Sequence, residues 1–257
     1  MKHKFLFILL FSLVLEGMVT TQAVAGDYVH QVNTLIGTKG TGLTSGYLYP
    51  GATYPYGMVQ FTPSYFSKRS GFVINQLSGG GCEHMGNFPT FPVKGKLKMS
   101  PDNILNYRIN VSEEKGHAGY YEAMVQEDIK AKLTVTERTG MASYEYPADQ
   151  QYGTIIIGGG ISATPIEQAA IVITAPNKCE GYAEGGNFCG LRTPYKVYFV
   201  AEFDTDAFET GTWKREELMP NTTFAEGEYS GVYFTFDVNK KKNIQYKIGV
   251  SYVSVEN

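Results

Sequence analysis

A two-layer antiparallel β-sandwich is the fold class this sequence predicts, and three observations carry it. Tyr and Phe are abundant, 19 and 15 in 257 residues, beside 29 Gly and 11 Pro, a mixture that favours strands joined by tight turns over long helices. Apolar and polar residues alternate over residues 120–125, 130–137, 142–146, 154–157, 195–203, 231–238 and 244–255, with turn signals between them. No long amphipathic helical pattern separates these runs, so the strands have only each other to pack on.

The N-terminus reads as a leader. Lys2 and Lys4 precede an apolar run over residues 5–15, and Ala23-Val24-Ala25 offers a small-residue cleavage site. Glu16 interrupts the apolar run well short of the about 20 residues a membrane span needs. A signal peptide over residues 1–25, export to the periplasm, cell surface or medium, and one domain over 26–257 are the resulting expectations, with no membrane span after cleavage. The formal charge of -3 makes nucleic acid an unsuitable partner. The basic cluster Lys240, Lys241 and Lys242 reads as a solvated hairpin turn.

Residues 35–63 hold repeated Gly and aromatics before a short strand at 58–61. Tyr47, Tyr49, Tyr54 and Tyr56 in this segment either stack on a sugar ring or fill the rim of a sandwich. GTKGTG lacks the Gly-Lys-Ser/Thr ending of a phosphate loop, and Gly158-Gly159-Gly160 lacks dinucleotide-loop spacing, so both read as turns.

Residues 77–89, LSGGGCEHMGNFP, form the sharpest local feature. Three successive glycines supply no packing side chains, so the run serves backbone geometry. It either presents N–H groups, a thiol, a carboxylate and an imidazole to a ligand or is a bare surface loop. Cys82 and His84 stand two apart with no orienting third group, which argues against a nucleophilic pair. Adjacent acids such as Glu113-Glu114 and Glu216-Glu217 read as solvated faces. Cys82, Cys179 and Cys189 include no Cys-x-x-Cys spacing, so no cysteine metal site is expected. Cys179 and Cys189 could close a short disulfide loop, or be two buried thiols.

In the strand KLTVTE, Leu133 and Val135 share one face while Lys132, Thr134 and Thr136 share the other, the signature of a sheet buried on one side. Expected strands continue to the end of the chain in KIGVSYVSVEN.

Taken in order, LIGTKGTG, YPGATYPYGMVQFTP, LSGGGCEHMGNFP, KLTVTERTGMASYEYP, KCEGYAEGGNFCG, PYKVYFVAEFD, GTWK and KIGVSYVSVEN resemble glycoside hydrolase family 92 across essentially all of residues 26–257. The resemblance implies an N-terminal, supersandwich-like domain of a calcium-dependent, inverting exo-α-mannosidase whose catalytic carboxyls and most calcium ligands lie on a separate (α/α) barrel. It therefore implies no catalytic residue and no metal ligand in this chain, a barrel domain as partner, and an α-mannoside glycan as ligand. Ser78, Gly79, Gly80, Gly81, Cys82 and Glu83 are the substrate-contacting candidates that it implies. The chain departs from the family in its short FSKRSGFVINQ approach and in Asn87, where an acid is common, which bears on linkage specificity. A free-standing carbohydrate-binding module is the alternative, and a structural envelope protein a third reading.

Overall fold

Hydrogen-bonded ladders organise the chain into two antiparallel sheets. The computed structural model describes residues 28–38, 48–64, 71–76, 85–101, 110–186 and 190–257. The chain divides into Met1–Gln31, whose described part is a 3-10 turn at Val29–Gln31, and Val32–Asn257, which holds both sheets.

The strands in chain order are β1 (Ala52–Thr53), β2 (Gln60–Pro63), β3 (Phe72–Val73), β4 (Thr90–Lys94), β5 (Val111–His117), β6 (Tyr120–Val125), β7 (Ile129–Val135), β8 (Thr139–Glu145) and β9 (Tyr152–Gly158). They continue with β10 (Ile166–Ala175), β11 (Lys178–Gly185), β12 (Tyr195–Phe203), β13 (Glu209–Lys214), β14 (Glu217–Pro220), β15 (Phe224–Glu226), β16 (Ser230–Asp237) and β17 (Asn243–Ser251). One sheet runs β1-β2-β3-β4-β9-β16-β13-β14 and the other β15-β10-β11-β12-β17-β8-β7-β6-β5. No α-helix occurs among the described residues.

Alternation does the sorting. Along β17, Ile244, Tyr246, Ile248 and Val250 are buried while Gln245, Lys247 and Gly249 face out, as a sheet with one packed face requires. The inner faces meet in a contiguous aromatic and aliphatic core. Phe203 of the nine-stranded sheet lies 4.7 Å from Phe234 and 5.1 Å from Phe236 of the eight-stranded sheet, centroid to centroid. A buried hydroxyl chain also ties the sheets together: Tyr246 on β17 donates to Thr90 Oγ1 on β4 at 2.6 Å, and Tyr144 on β8 lies 3.2 Å from the same oxygen. β9 and β16 are buried on both faces, so the alternation expected over residues 154–157 and 231–238 does not separate an exposed face from a packed one there.

Several expectations shift in detail. β10, β11, β13 and β14 carry no strand expectation in the sequence, yet the first two are among the longest strands. The final strand stops at Ser251 and does not reach Val255. Ser251 Oγ accepts from the N–H groups of Val253 at 3.1 Å and Ser254 at 3.4 Å, and this local bonding turns the chain out of the ladder. The lysine cluster does lie in the β16–β17 turn, with Lys241 paired to Asp204 at 2.8 Å. Cys179 is a free, fully buried thiol facing the core from β11, so the disulfide alternative does not hold for it; Cys189 lies outside the described residues.

Candidate functional site

The candidates Ser78, Gly79, Gly80, Gly81, Cys82 and Glu83 lie outside the described residues, as do Tyr47 and the leader. The two stems of the glycine segment are described. β3 leads through Ile74 to Asn75 and Gln76, and Met85 to Pro89 lead into β4.

A reciprocal amide pair joins those stems. The backbone N–H of Asn87 donates to Asn75 Oδ1 at 2.8 Å, and Asn75 Nδ2 donates to Asn87 Oδ1 at 3.0 Å. Both residues are buried, Asn87 completely. The Tyr195 hydroxyl, at the start of β12 in the opposite sheet, donates to the same Asn87 Oδ1 at 3.0 Å. Tyr252, just past β17, stands 3.5 Å from Asn75 Nδ2. Burial raises the pKa of Tyr195, opposed by its bonds to Asn87, Ser162 and Thr164, and burial raises that of Tyr252 as well. Both phenols therefore stay protonated at neutral pH, Tyr195 donating to Asn87 Oδ1 and Tyr252 accepting from Asn75 Nδ2. Asn87 Nδ2 is buried with no hydrogen-bond partner, and such a donor costs about 1–3 kcal/mol while unmet.

The backbone here is unusual. Met85 (φ 55°), Gly86 (φ 71°) and Phe88 (φ 53°) all occupy the left-handed region, uncommon for residues with a side chain. Two contacts hold it in place: Ala163 N–H donates to Met85 O at 2.8 Å, and the Phe88 ring packs 4.2 Å from Phe199 of the other sheet. Sequence reasoning identified the glycine segment but not this clasp, whose members Asn75 and Tyr195 lie far apart in the chain and meet only after the sheets stack.

Other connections gather at the same pole. The strand registers bring the ends of β9, β11 and β17 and the starts of β4, β10, β12 and β8 to it. The turn at Tyr54 to Met58 joins them, because Met58 N–H donates to Glu137 O at 2.7 Å in the β7–β8 turn. Tyr56 is fully exposed and Tyr54 half exposed, so neither fills a rim; Tyr49 is partly buried. Leu191, Tyr252 and Val253 add exposed apolar surface. Among the described residues no three His, Cys, Asp or Glu side chains stand close enough to share a metal. They do not fit a calcium centre, which takes six to eight oxygens rich in carboxylates.

Fold and pole together define a large antiparallel sandwich domain with strand ends and connecting segments gathered at one end. Residues 31–251 match the family model described as glycosyl hydrolase family 92 N-terminal domain. The chain belongs to this family. It is 30% identical over 159 residues to an uncharacterized secreted glycosidase of Arthroderma benhamiae, which covers 53% of this chain and 20% of that protein. It resembles the solved family GH92 α-mannosidase BT3965 from Bacteroides thetaiotaomicron with a TM-score of 0.75 at 24% identity, over 89% of this chain and 34% of that one. The inverting mannosidase BT2199 from the same organism gives a TM-score of 0.73 at 22% identity, over 89% and 32%. The chain thus spans about a third of the solved structures' length and a fifth of the Arthroderma protein's. No helix among the described residues is long and apolar enough to cross a membrane.

Proposed function

We propose that this chain is the glycan-contacting N-terminal part of an exported, α-mannosidase-like glycoside hydrolase, without turnover of its own. The observation that carries the reading is the family match over residues 31–251, which supports the same role for this sandwich as for the corresponding third of the mannosidases it resembles. Export is supported by the Lys2–Ala25 pattern and by the secreted relative.

Ser78 to Glu83 are the proposed sugar-contacting residues. The clasp in the flanking residues favours this: Asn75, Asn87 and Tyr195 fix the described stems on either side of the glycine run, and positioning is what a segment between fixed stems can supply. The unmet donor of Asn87 adds a polar group at the base. Exposed Tyr54, Tyr56, Leu191 and Val253 at the same pole form the surface proposed to meet a barrel domain. Calcium belongs in this reading to the rest of such an enzyme, and no step by these residues depends on it.

Inverting hydrolysis needs an acid and a base about 6.5–9.5 Å apart across the scissile bond. Neither role falls to this chain. Purified protein is expected to release no mannose from aryl α-mannosides, with or without calcium. Robust release that disappears on changing Cys82 or Glu83 would place a complete active site in this domain and sink the proposal.

A further inference from the structure

A cavity lies on the outer face of the nine-stranded sheet, and none of its lining residues belongs to the Asn75–Asn87–Tyr195 network. It encloses about 180 Å³ where β12, β17 and the β7–β8 turn meet the segment after Ser251. That is room for about six waters by bulk volume, below the about 300–1,000 Å³ of pockets that enclose drug-sized ligands.

The floor is Gly249. It pairs with Val200 on one side and Thr139 on the other, so two outward side chains flank a position that offers none. Packing does not demand this glycine: a Cβ placed there would find its nearest neighbour, Thr139 Oγ1, at 3.8 Å, and its φ is outside the left-handed region. The hollow exists because this residue is small.

The walls carry complementary chemistry. Tyr198 gives an aromatic side, backed by Tyr182 at 6.0 Å. Thr139 and Ser254 bring hydroxyls, and Asn257 brings an amide. The segment that bears Ser254 and Asn257 is fixed, since Ser251 Oγ gathers the N–H groups of Val253 and Ser254 and the Nδ2 of Asn257 at 3.1, 3.4 and 3.3 Å. Arg138 lines the rim and makes no ion pair among the described residues. Arg138 is the one charged side chain among the described lining residues, and Glu256 lies against the lining residue Ser254, so the mouth gathers no excess of positive charge to select an anion.

We infer that this cavity is a non-catalytic subsite for one neutral pyranose unit of a glycan. The apolar C–H face of the ring lies against Tyr198, and its hydroxyls exchange hydrogen bonds with Thr139, Ser254, Asn257 and Arg138. Such a subsite would hold a branch or neighbouring chain of a glycan engaged at the pole, adding avidity without chemistry.

The test is a titration of the folded chain with methyl α-D-mannopyranoside and methyl α-D-glucopyranoside, read by amide chemical shifts. Saturable shifts at Gly249, Ser254 and the Asn257 side chain are expected at millimolar sugar, the affinity range of a single-ring contact. Gly249→Val should fill the hollow and abolish these shifts while circular dichroism and Tm stay unchanged, and Tyr198→Ala should weaken binding at least about fivefold. If Gly249→Val does not fold, Thr139→Val decides by the same readout. Absence of saturable shifts with both glycosides, shifts that persist in the variants, or binding of sodium glucuronate alone would each overturn the inference.

Discussion

Asn75 and Asn87 bind each other twice, through a backbone N–H to Oδ1 bond of 2.8 Å and an Nδ2 to Oδ1 bond of 3.0 Å. This pair fastens the root of the glycine segment to the first sheet, and Tyr195 fastens it to the second. Asn75→Ala would leave the N–H of Asn87 without its acceptor and its Oδ1 with one donor fewer. The expected cost is about 1–3 kcal/mol, seen as a fall of several degrees in Tm. Tyr195→Phe should cost less, about 1 kcal/mol, because Asn75 still serves Asn87 Oδ1. Unchanged melting in Asn75→Ala would show that the clasp does not hold the root.

Alkaline pH should unfold this domain early. Burial pushes the phenols of Tyr144, Tyr146 and Tyr246 well above their ordinary range, and that of Tyr233 up to about 12. The folded state keeps these protons while the unfolded chain gives them up near pH 10. Above that pH the unfolded state therefore binds fewer protons, and stability falls as pH rises. The contribution is fully present below about pH 10 and declines through the interval up to the folded pKa values. Tyr246→Phe removes one such phenol together with its bond to Thr90. It should be less stable than the parent at pH 7, by about 1 kcal/mol, and should lose less stability between pH 9 and pH 11. Parallel pH profiles for the two proteins in denaturant titrations would refute this.

Cys179 should be inert in the folded protein. It is completely buried, and burial, followed by the neighbouring Glu180 carboxylate, pushes its thiol up, so little thiolate forms. Iodoacetamide should label it only after denaturation, and peptide mapping under non-reducing conditions should find no Cys179–Cys189 link. Detection of that link in native protein would contradict the buried free thiol.

Much of the sandwich is legible in the sequence, and the exceptions have physical causes. β6 and β12 run over the residues that alternation assigns to them because large apolar side chains mark their buried faces. β11 escapes notice because its inward positions are Cys179, Gly181, Ala183 and Gly185, and small residues leave a weak apolar signal. Gly181 is small for a reason: a Cβ there would meet Ala170 O at 2.2 Å across the ladder. β10 is blurred by a register shift between Ile166 and Gln168, which breaks the period of two. At the candidate site, the glycine run announces a special backbone through composition alone. Its supports do not, since Asn75, Asn87, Tyr195 and Tyr252 are ordinary polar residues until stacking of the sheets brings them together.

The measurement closest to the central claim is an amide chemical-shift titration of the folded chain with α-linked mannobioses, following the pole. Contact by the glycine segment should move the resonances of residues 71–76 and 85–88 and of Tyr195, and Gly81→Trp should suppress those shifts while leaving the fold intact. Pole resonances that stay still at saturating mannobiose, or that move equally in Gly81→Trp, would contradict a glycan-contacting role for this domain.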